Sequence, residues 1–306
     1  MNQTYVILIN FFGINDTRHC LESLLKLPEN PNIIIVDNSV NDTQWNALCQ
    51  MAVQLNEPYV LLDAKDISCA TDKHRIALIR SEKNGGFAYG NNLGIRFAIK
   101  QEDCKYIWIL NNDTEVDKKA LSALLKMHQP KLILGSKLVY FHQKNLIQAV
   151  GGKFNSTFYI CTHIGANKPF ATPKSEFGNI DYPVGASIFV DRNFIKEVGL
   201  MCEDYFLYFE ELDWIYRAKK KGYRLDWVEQ SIVYHKEGAS IGSSYNNQKS
   251  IQSEIQLFKS RKIFIQKNFG LDFKFYFSSV LLMLNRIRKG KFRVSKELFK
   301  ITFNGN

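Results

Sequence analysis

Val6-Ile-Leu-Ile9 and Ile33-Ile-Ile-Val36 bracket a stretch, Asp16–Leu27, in which Leu21, Leu24 and Leu25 recur at helical spacing. Uninterrupted apolar runs suit strands buried on both faces of a parallel sheet, where neither face meets water. The leucine spacing predicts a crossover helix capped by Asp16 or Thr17. Strand, helix and strand form a β-α-β unit, and the chain goes on in the same way. Thr43–Leu55 reads as a second helix, and Tyr59-Val-Leu-Leu62 or Ile76–Ile79 as a further strand. Tyr106-Ile-Trp-Ile-Leu110 reads as another buried strand and Lys118–Met127 as another helix. This alternation predicts an open, mostly parallel α/β sheet flanked by helices. From Gly135 to Val190 the pattern turns irregular, with strands expected around Ser136–Phe141 and Ser187–Val190.

Composition narrows the class. The 306 residues are 45% hydrophobic and 23% charged, enough apolar surface for a full core and too much for a disordered chain. Six cysteines are scattered without a C-x-x-C pair, which argues against a zinc cluster and fits free thiols in a reducing cytosol. The run Tyr5–Phe12 is interrupted by Asn10 and has no basic region before it, so it reads as a strand and not as a signal peptide. No segment reaches the roughly 20 apolar residues that span a bilayer. The net charge of +10 lies in one place: residues 256–306 hold twelve Lys/Arg against Asp272 and Glu297, while the first 255 residues are neutral.

Ligands of open α/β sheets bind at the carboxyl ends of the strands, and polar clusters follow the apolar runs there. Asp37-Asn-Ser-Val-Asn-Asp42 follows the second strand and Asn111-Asn-Asp-Thr114 follows the 106–110 strand. Each alone is also the composition of an ordinary turn. Asn84-Gly-Gly-Phe-Ala-Tyr-Gly-Asn-Asn-Leu-Gly94 leads into a helix, and such a turn lets backbone approach a phosphate closely. It matches neither G-x-G-x-x-G nor a P-loop. Further on, Asp204-Tyr-Phe-Leu-Tyr-Phe-Glu-Glu-Leu-Asp-Trp-Ile-Tyr-Arg217 sets Glu210, Glu211 and Asp213 among six aromatic side chains, at the start of a helix that runs to Lys219-Lys220-Lys221. Desolvation by those aromatics raises carboxyl pKa values and suits proton abstraction, and helical geometry puts Glu210 and Asp213 on one face with Glu211 about 100° away.

Taken in order, Val36-Asp-Asn-Ser39, the 84–92 glycine turn, Leu110-Asn-Asn-Asp-Thr114, Gly185-Ala186 and Phe206-Leu-Tyr-Phe-Glu-Glu-Leu-Asp213 resemble the family 2 inverting glycosyltransferases of GT-A fold. The likeness covers roughly residues 4–242 and is closest to rhamnosyltransferase-like members that build bacterial surface polysaccharides. It implies that Asp37 contacts the base or ribose of a dTDP- or UDP-sugar donor, with Asn84, Gly85, Gly86, Asn91, Asn111 and Asn112 completing the donor site. It implies that Asp113, in the place of the D-x-D motif, and His235, in Val233-Tyr-His-Lys-Glu-Gly238, hold a divalent cation, Mn²⁺ or Mg²⁺. Asn111 stands where the first Asp of the motif is expected, one charge fewer. Glu210-Glu211 takes the place of a Glu-Asp motif whose second acid is the base, which makes Glu211 the candidate and leaves Asp213 as its rival. The chemistry is consistent with this: a diphosphate leaving group needs a hard cation, and an acceptor hydroxyl needs a base on the opposite face.

The division expected is a transferase domain over 1–255 and a basic amphipathic region over 256–306. Ten aromatics interleave with the twelve basic residues of that region, and Phe273–Leu284 is nearly all apolar. Basic and aromatic side chains together suit an anionic membrane surface; helices closing the sheet or a homodimer interface compete, and nucleic-acid binding lacks any motif. The expectation is therefore a cytoplasmic enzyme, peripheral on the inner face of a bacterial membrane, that moves one sugar such as rhamnose to a lipid-linked glycan acceptor with inversion. Two rivals are a sugar-phosphate nucleotidyltransferase, for which Asn10–Asp16 lacks the Gly-rich basic loop, and a non-catalytic glycan-binding or scaffold protein on the same fold.

Overall fold

The computed structural model describes residues 3–67, 74–236 and 250–303; one of the six cysteines, Cys69, and the Glu237 and Gly238 of the His235 motif lie outside them. The chain runs β1 (Thr4–Asn10), α1 (Ile14–Leu25), β2 (Asn32–Asp37), α2 (Asp42–Gln54), β3 (Tyr59–Asp63), β4 (Ile76–Arg80), α3 (Gly86–Lys100), β5 (Tyr106–Leu110), β6 (Thr114–Val116) and α4 (Ala120–Met127). It continues through β7 (Leu132–Tyr140), β8 (Ile147–Ala149), β9 (Gly151–Asn155), β10 (Ile160–Ile164), β11 (Ser187–Asp191), α5 (Arg192–Val198), α6 (Glu210–Lys219) and β12 (Arg224–His235). The last three helices are α7 (Ile251–Asn268), α8 (Phe273–Arg288) and α9 (Phe292–Phe303).

Among the described residues ten strands form one sheet in the order β3-β4-β2-β1-β5-β11-β7-β12-β6, with β8 beside β7. The half from β3 to β5 is parallel, as the unbroken apolar runs require. β11 then pairs antiparallel with both β5 and β7. Alternate residues of each central strand feed opposite layers. Ile7, Ile34 and Val36 pack with α3, α5 and α6 through Phe97, Phe194 and Trp214. Val6, Leu8, Ile33 and Ile35 pack with α1, α2 and α4 through Leu24, Met51 and Leu124.

Several boundaries differ from expectation for local reasons. Both Tyr59–Asp63 and Ile76–Arg80 are strands, each paired along its length. Helix α1 begins two residues before Asp16, with Gly13 at the cap position. Thr17 does not cap it: its hydroxyl donates to Asn10 Oδ1 and to the Gly13 carbonyl. Asp16 is instead ion-paired to Lys236 at 2.6 Å. Helix α4 starts at Ala120, not Lys118, because Asp117 closes a turn first, its carboxylate accepting from the Lys119 N–H and its carbonyl from the Ala120 N–H, both at 2.9 Å. Thr114–Val116 forms β6, too short a strand for any periodicity to show.

The division expected at 255/256 falls inside α7. That helix buries Phe264 and Ile265 in the main core, and Phe275 of α8 joins them. Phe258, Met283, Val294 and Leu298 knit α7, α8 and α9 together. No helix among the described residues is long and apolar enough to cross a membrane.

Candidate active site

The carboxyl ends of β1, β2 and β5 open into a cleft of about 730 Å³, whose far end is roofed by α7 and α8. At its near end Asp37 is buried, its Oδ1 accepting from Asn10 Nδ2 (3.0 Å) and the Ser39 backbone N–H (3.2 Å). Asn38, not Asp37, forms the wall there. Its Nδ2 donates to the Gly86 carbonyl at 3.0 Å and to Asn84 Oδ1 at 3.3 Å. Asp37 Oδ2 has no hydrogen-bond partner among the described residues, so a carboxylate oxygen stays open just beneath this wall.

Of the glycine turn, Asn84 and Gly86 line the cleft, while Gly85 and Asn91 do not. Gly85 packs against the Tyr89 ring, and Asn91 donates to the Phe87 carbonyl one turn back along α3. Gly86 takes a left-handed φ of 84°, and a Cβ placed on it would lie 2.0 Å from the Phe206 carbonyl oxygen. The next amide, Phe87 N–H, donates to that same oxygen at 2.9 Å. Glycine is needed here both for the backbone angle and for the close approach. The start of α3 is thereby tied to the loop that delivers the acids of α6.

The carboxyl end of β5 supplies Asn111, Asn112 and Asp113, all on the cleft wall. Antiparallel pairing of β6 with β12 sets Thr114 opposite His235, so the preceding Asp113 meets the imidazole. Asp113 Oδ1 lies 3.1 Å from His235 Nε2, and Asn111 Nδ2 lies 3.3 Å from the same nitrogen. His235 Nδ1 is 2.8 Å from Gln148 Oε1, which directs Nε2 toward Asp113. Asn112 is turned inward, donating to Thr17 Oγ1 at 2.9 Å. A carboxylate oxygen and an imidazole nitrogen converging in this way fit a hard divalent cation. Among the described residues no three His, Cys, Asp or Glu side chains converge, so such an ion would complete its shell from ligand oxygens.

Across the cleft, Tyr208 and Phe209 both have φ of 69°, an unusual left-handed pair that costs roughly 1–2 kcal/mol per residue. The turn is held from two sides: by Phe87 on α3, and by Ser260 and Ser253 of α7, which bond the Leu207 carbonyl and the Tyr208 hydroxyl. It places Glu210 and Glu211 on the cleft wall. Glu210 is 3% exposed, and its Oε2 has no hydrogen-bond partner among the described residues. Burial, then the neighbouring Glu211 charge, holds its carboxyl well above the usual range. Glu211 is less buried, with its carboxyl carbon 3.9 Å from where a Cβ on Gly185 would stand. Asp213 shares the face of Glu210, as helical geometry predicts, but it is not on the cleft wall. Its carboxylate pairs with Arg217 Nε at 2.9 Å and accepts from the Tyr205 hydroxyl at 3.2 Å.

The far end is lined by Tyr159, Leu257, Phe258, Arg261, Leu282 and Arg286. The helices expected as an appendage therefore build part of the cleft. Arg261 and Gln148 were not singled out from sequence, and Arg286 was read only as one of the basic residues facing a membrane; Asn38, adjoining Asp37, lay within a motif that could have flagged it.

An open mixed sheet of this order, with helices on both faces and the cleft at its parallel ends, is the GT-A glycosyltransferase fold. Residues 5–199 match the glycosyl transferase family 2 profile, and the chain belongs to that family. It is 20% identical over 236 residues to the low-salt glycan biosynthesis hexosyltransferase Agl10 of Haloferax volcanii, covering 76% of this chain and 66% of that protein. GalNAc-T7, solved with UDP, GalNAc and Mn²⁺, superposes with a TM-score of 0.61 at 14% identity, over 86% of this chain and 48% of its own. The mannosyltransferase PcManGT of Pyrobaculum calidifontis, solved with GDP-Man and Mn²⁺, gives a TM-score of 0.55 at 10% identity, over 99% of this chain and 76% of its own. The chain thus spans just under two thirds of Agl10 and about half of GalNAc-T7.

Proposed function

We propose that the chain transfers one hexosyl unit from a nucleoside diphosphate sugar, dTDP- or UDP-linked, to an acceptor hydroxyl with inversion at the anomeric carbon. The observation that carries this reading is that one cleft holds the Asp113–His235 pair on one side and the Glu210–Glu211 pair on the other. Asn38, Asn84 and Gly86 line the end that takes the nucleoside, with the Asp37 carboxylate beneath them. Asp113 and His235 would hold Mn²⁺ or Mg²⁺. When bound, the ion supplies charge neutralisation for the departing diphosphate.

The two glutamates divide their roles by environment. Burial, then the Glu211 charge, pushes the Glu210 carboxyl up and favours its protonated form, while Glu211 is the less buried of the two. Glu211 at the cleft wall is the base that takes the acceptor proton. Asp213 positions α6 through Arg217 and has no part in the chemistry. Rhamnose as the sugar and a lipid-linked bacterial surface glycan as the acceptor remain our reading of the sequence likeness.

The C-terminal helices support a peripheral membrane location on the cytoplasmic face. Phe273, Phe277 and Leu284 on α8 and Phe292 and Phe299 on α9 are exposed, and Lys274, Arg288, Lys289, Lys291, Arg293, Lys296 and Lys300 lie on the same helices or the turn between them. Exposed aromatics beside lysine and arginine match an anionic lipid surface. The test is a panel of dTDP-, UDP- and GDP-sugars with added Mn²⁺, scored first by protection against thermal unfolding and then by release of the nucleoside diphosphate. One sugar nucleotide should protect and turn over; protection by none would overturn the reading.

A further inference from the structure

The far lobe of the cleft carries charge that the transfer chemistry leaves unused. Arg261 is 4% exposed, and burial pulls its guanidinium down to about 10. It makes four hydrogen bonds, all to uncharged oxygens: the Tyr159 and Phe158 carbonyls and the Ser278 and Ser279 hydroxyls. Among the described residues it has no carboxylate partner. A guanidinium has five N–H donors, so one N–H on Nη1 has no hydrogen-bond partner among the described residues. Arg286 spends Nε on Glu254 at 3.0 Å, and neither of its Nη groups hydrogen-bonds within the described residues. Glu254 is also paired with Lys291, so one carboxylate answers two cations. Lys291 is 34% exposed and does not line the cleft, so the lobe itself presents two guanidinium groups, Arg261 over the Phe275 ring and Arg286 over the Phe258 ring, with only Arg286 paired to a carboxylate among the described residues. An unpaired buried charge is costly unless something answers it.

Beside these guanidinium groups the wall is apolar: Leu257 and Phe258 of α7 and Leu282 of α8. Resting on the reading of the cleft as a transferase site, we propose that this lobe is an acceptor subsite for an amphiphile bearing a phosphate or diphosphate. The anionic group lies on Arg261 and Arg286, and the hydrocarbon chain follows Leu257, Phe258 and Leu282 toward the exposed face of α8. The acceptor is thus held by its anionic lipid end, and its hydroxyl-bearing end points along the cleft to Glu211. Arg261 also clamps the Phe158–Tyr159 turn to α7 and α8, so a role in packing is the competing account, and Arg286 is the better residue to change. In Arg286→Gln, Lys291 stays on Glu254 and keeps that carboxylate paired.

Binding of farnesyl phosphate, farnesol and inorganic phosphate to the full chain is measured by titration calorimetry, with UDP and dTDP titrated in parallel. Charge-assisted hydrogen bonds of this kind are each worth roughly tenfold or more. Farnesyl phosphate should bind at least tenfold more tightly than either farnesol or inorganic phosphate. Arg286→Gln should bring it to the farnesol level, and Leu282→Ala should weaken farnesyl phosphate while leaving inorganic phosphate unchanged. Farnesol binding as tightly as its phosphate would overturn the proposal. So would inorganic phosphate matching farnesyl phosphate, which would mark a free-anion site, or indifference to both substitutions. Farnesyl phosphate binding without any nucleotide binding would uphold the subsite and defeat the donor reading; the converse would do the reverse.

Discussion

Replacing Glu210 by Gln tests the electrostatics of the acid pair without touching the proposed base. Glu210 is 3% exposed, lacks a partner for Oε2 among the described residues and faces the Glu211 charge, so the folded protein holds its proton to higher pH than the unfolded chain does. Below an unfolded carboxyl pKa of about 4.3 both states are protonated and no penalty arises. As pH rises past that value the unfolded chain releases the proton and the folded chain does not. Wild type therefore loses stability with rising pH, by about 1.4 kcal/mol per pH unit, until the folded pKa is passed and the loss levels off. Gln cannot ionise, so the variant is free of this loss. The midpoint of thermal unfolding of Glu210→Gln should therefore climb relative to wild type by roughly 2–4 °C per pH unit above about pH 4.5, converted at the few degrees per kcal/mol of large domains. Scanning calorimetry from pH 4 to 8 on both proteins measures it. A constant difference across that range, or one that shrinks with pH, would refute the burial-driven shift.

Three other outcomes follow from named contacts. Gly86→Ala puts a Cβ 2.0 Å from the Phe206 carbonyl at φ 84°; it should cost about 2–3 kcal/mol of stability and lower turnover by displacing the acid-bearing turn, read by chemical denaturation and initial rates. Asp213→Asn should cost about 2–3 kcal/mol, less than a fully buried pair because Arg217 is 32% exposed, while turnover per folded molecule stays within a fewfold of wild type. Replacing Phe273 and Phe277 by Ser should weaken co-sedimentation with anionic vesicles with little change in its salt dependence, whereas neutralising Arg288 and Lys289 should weaken it most at low salt.

The parallel half of the sheet was legible because strands buried on both faces leave continuous apolar runs, and β1, α1 and β2 carry that signal at full strength. The order of the polar clusters was legible because a parallel sheet puts them at one edge. The register of β12 against β6, which brings His235 to Asp113, was not, since a three-residue strand shows no period. Helical geometry put Glu210 and Asp213 on one face, and both are buried, but it gave no means of telling the cleft acid from the one held by Arg217. That distinction depends on Arg217 and Tyr205 closing around Asp213 in three dimensions. The guanidinium groups of the far lobe escaped because twelve basic residues in the tail look alike in sequence; only the packing of α7 on the core turns Arg261 inward.

The central claim, that Glu211 is the base opposite the Asp113–His235 pair, is tested most directly by Glu211→Gln. The measurement is the turnover number with the matched donor and acceptor beside the donor dissociation constant from calorimetry. The account predicts a fall of at least a hundredfold in turnover, the scale of general-base contributions, with donor affinity within a fewfold of wild type. Turnover near wild type in Glu211→Gln, or a loss carried wholly by donor affinity, would contradict it.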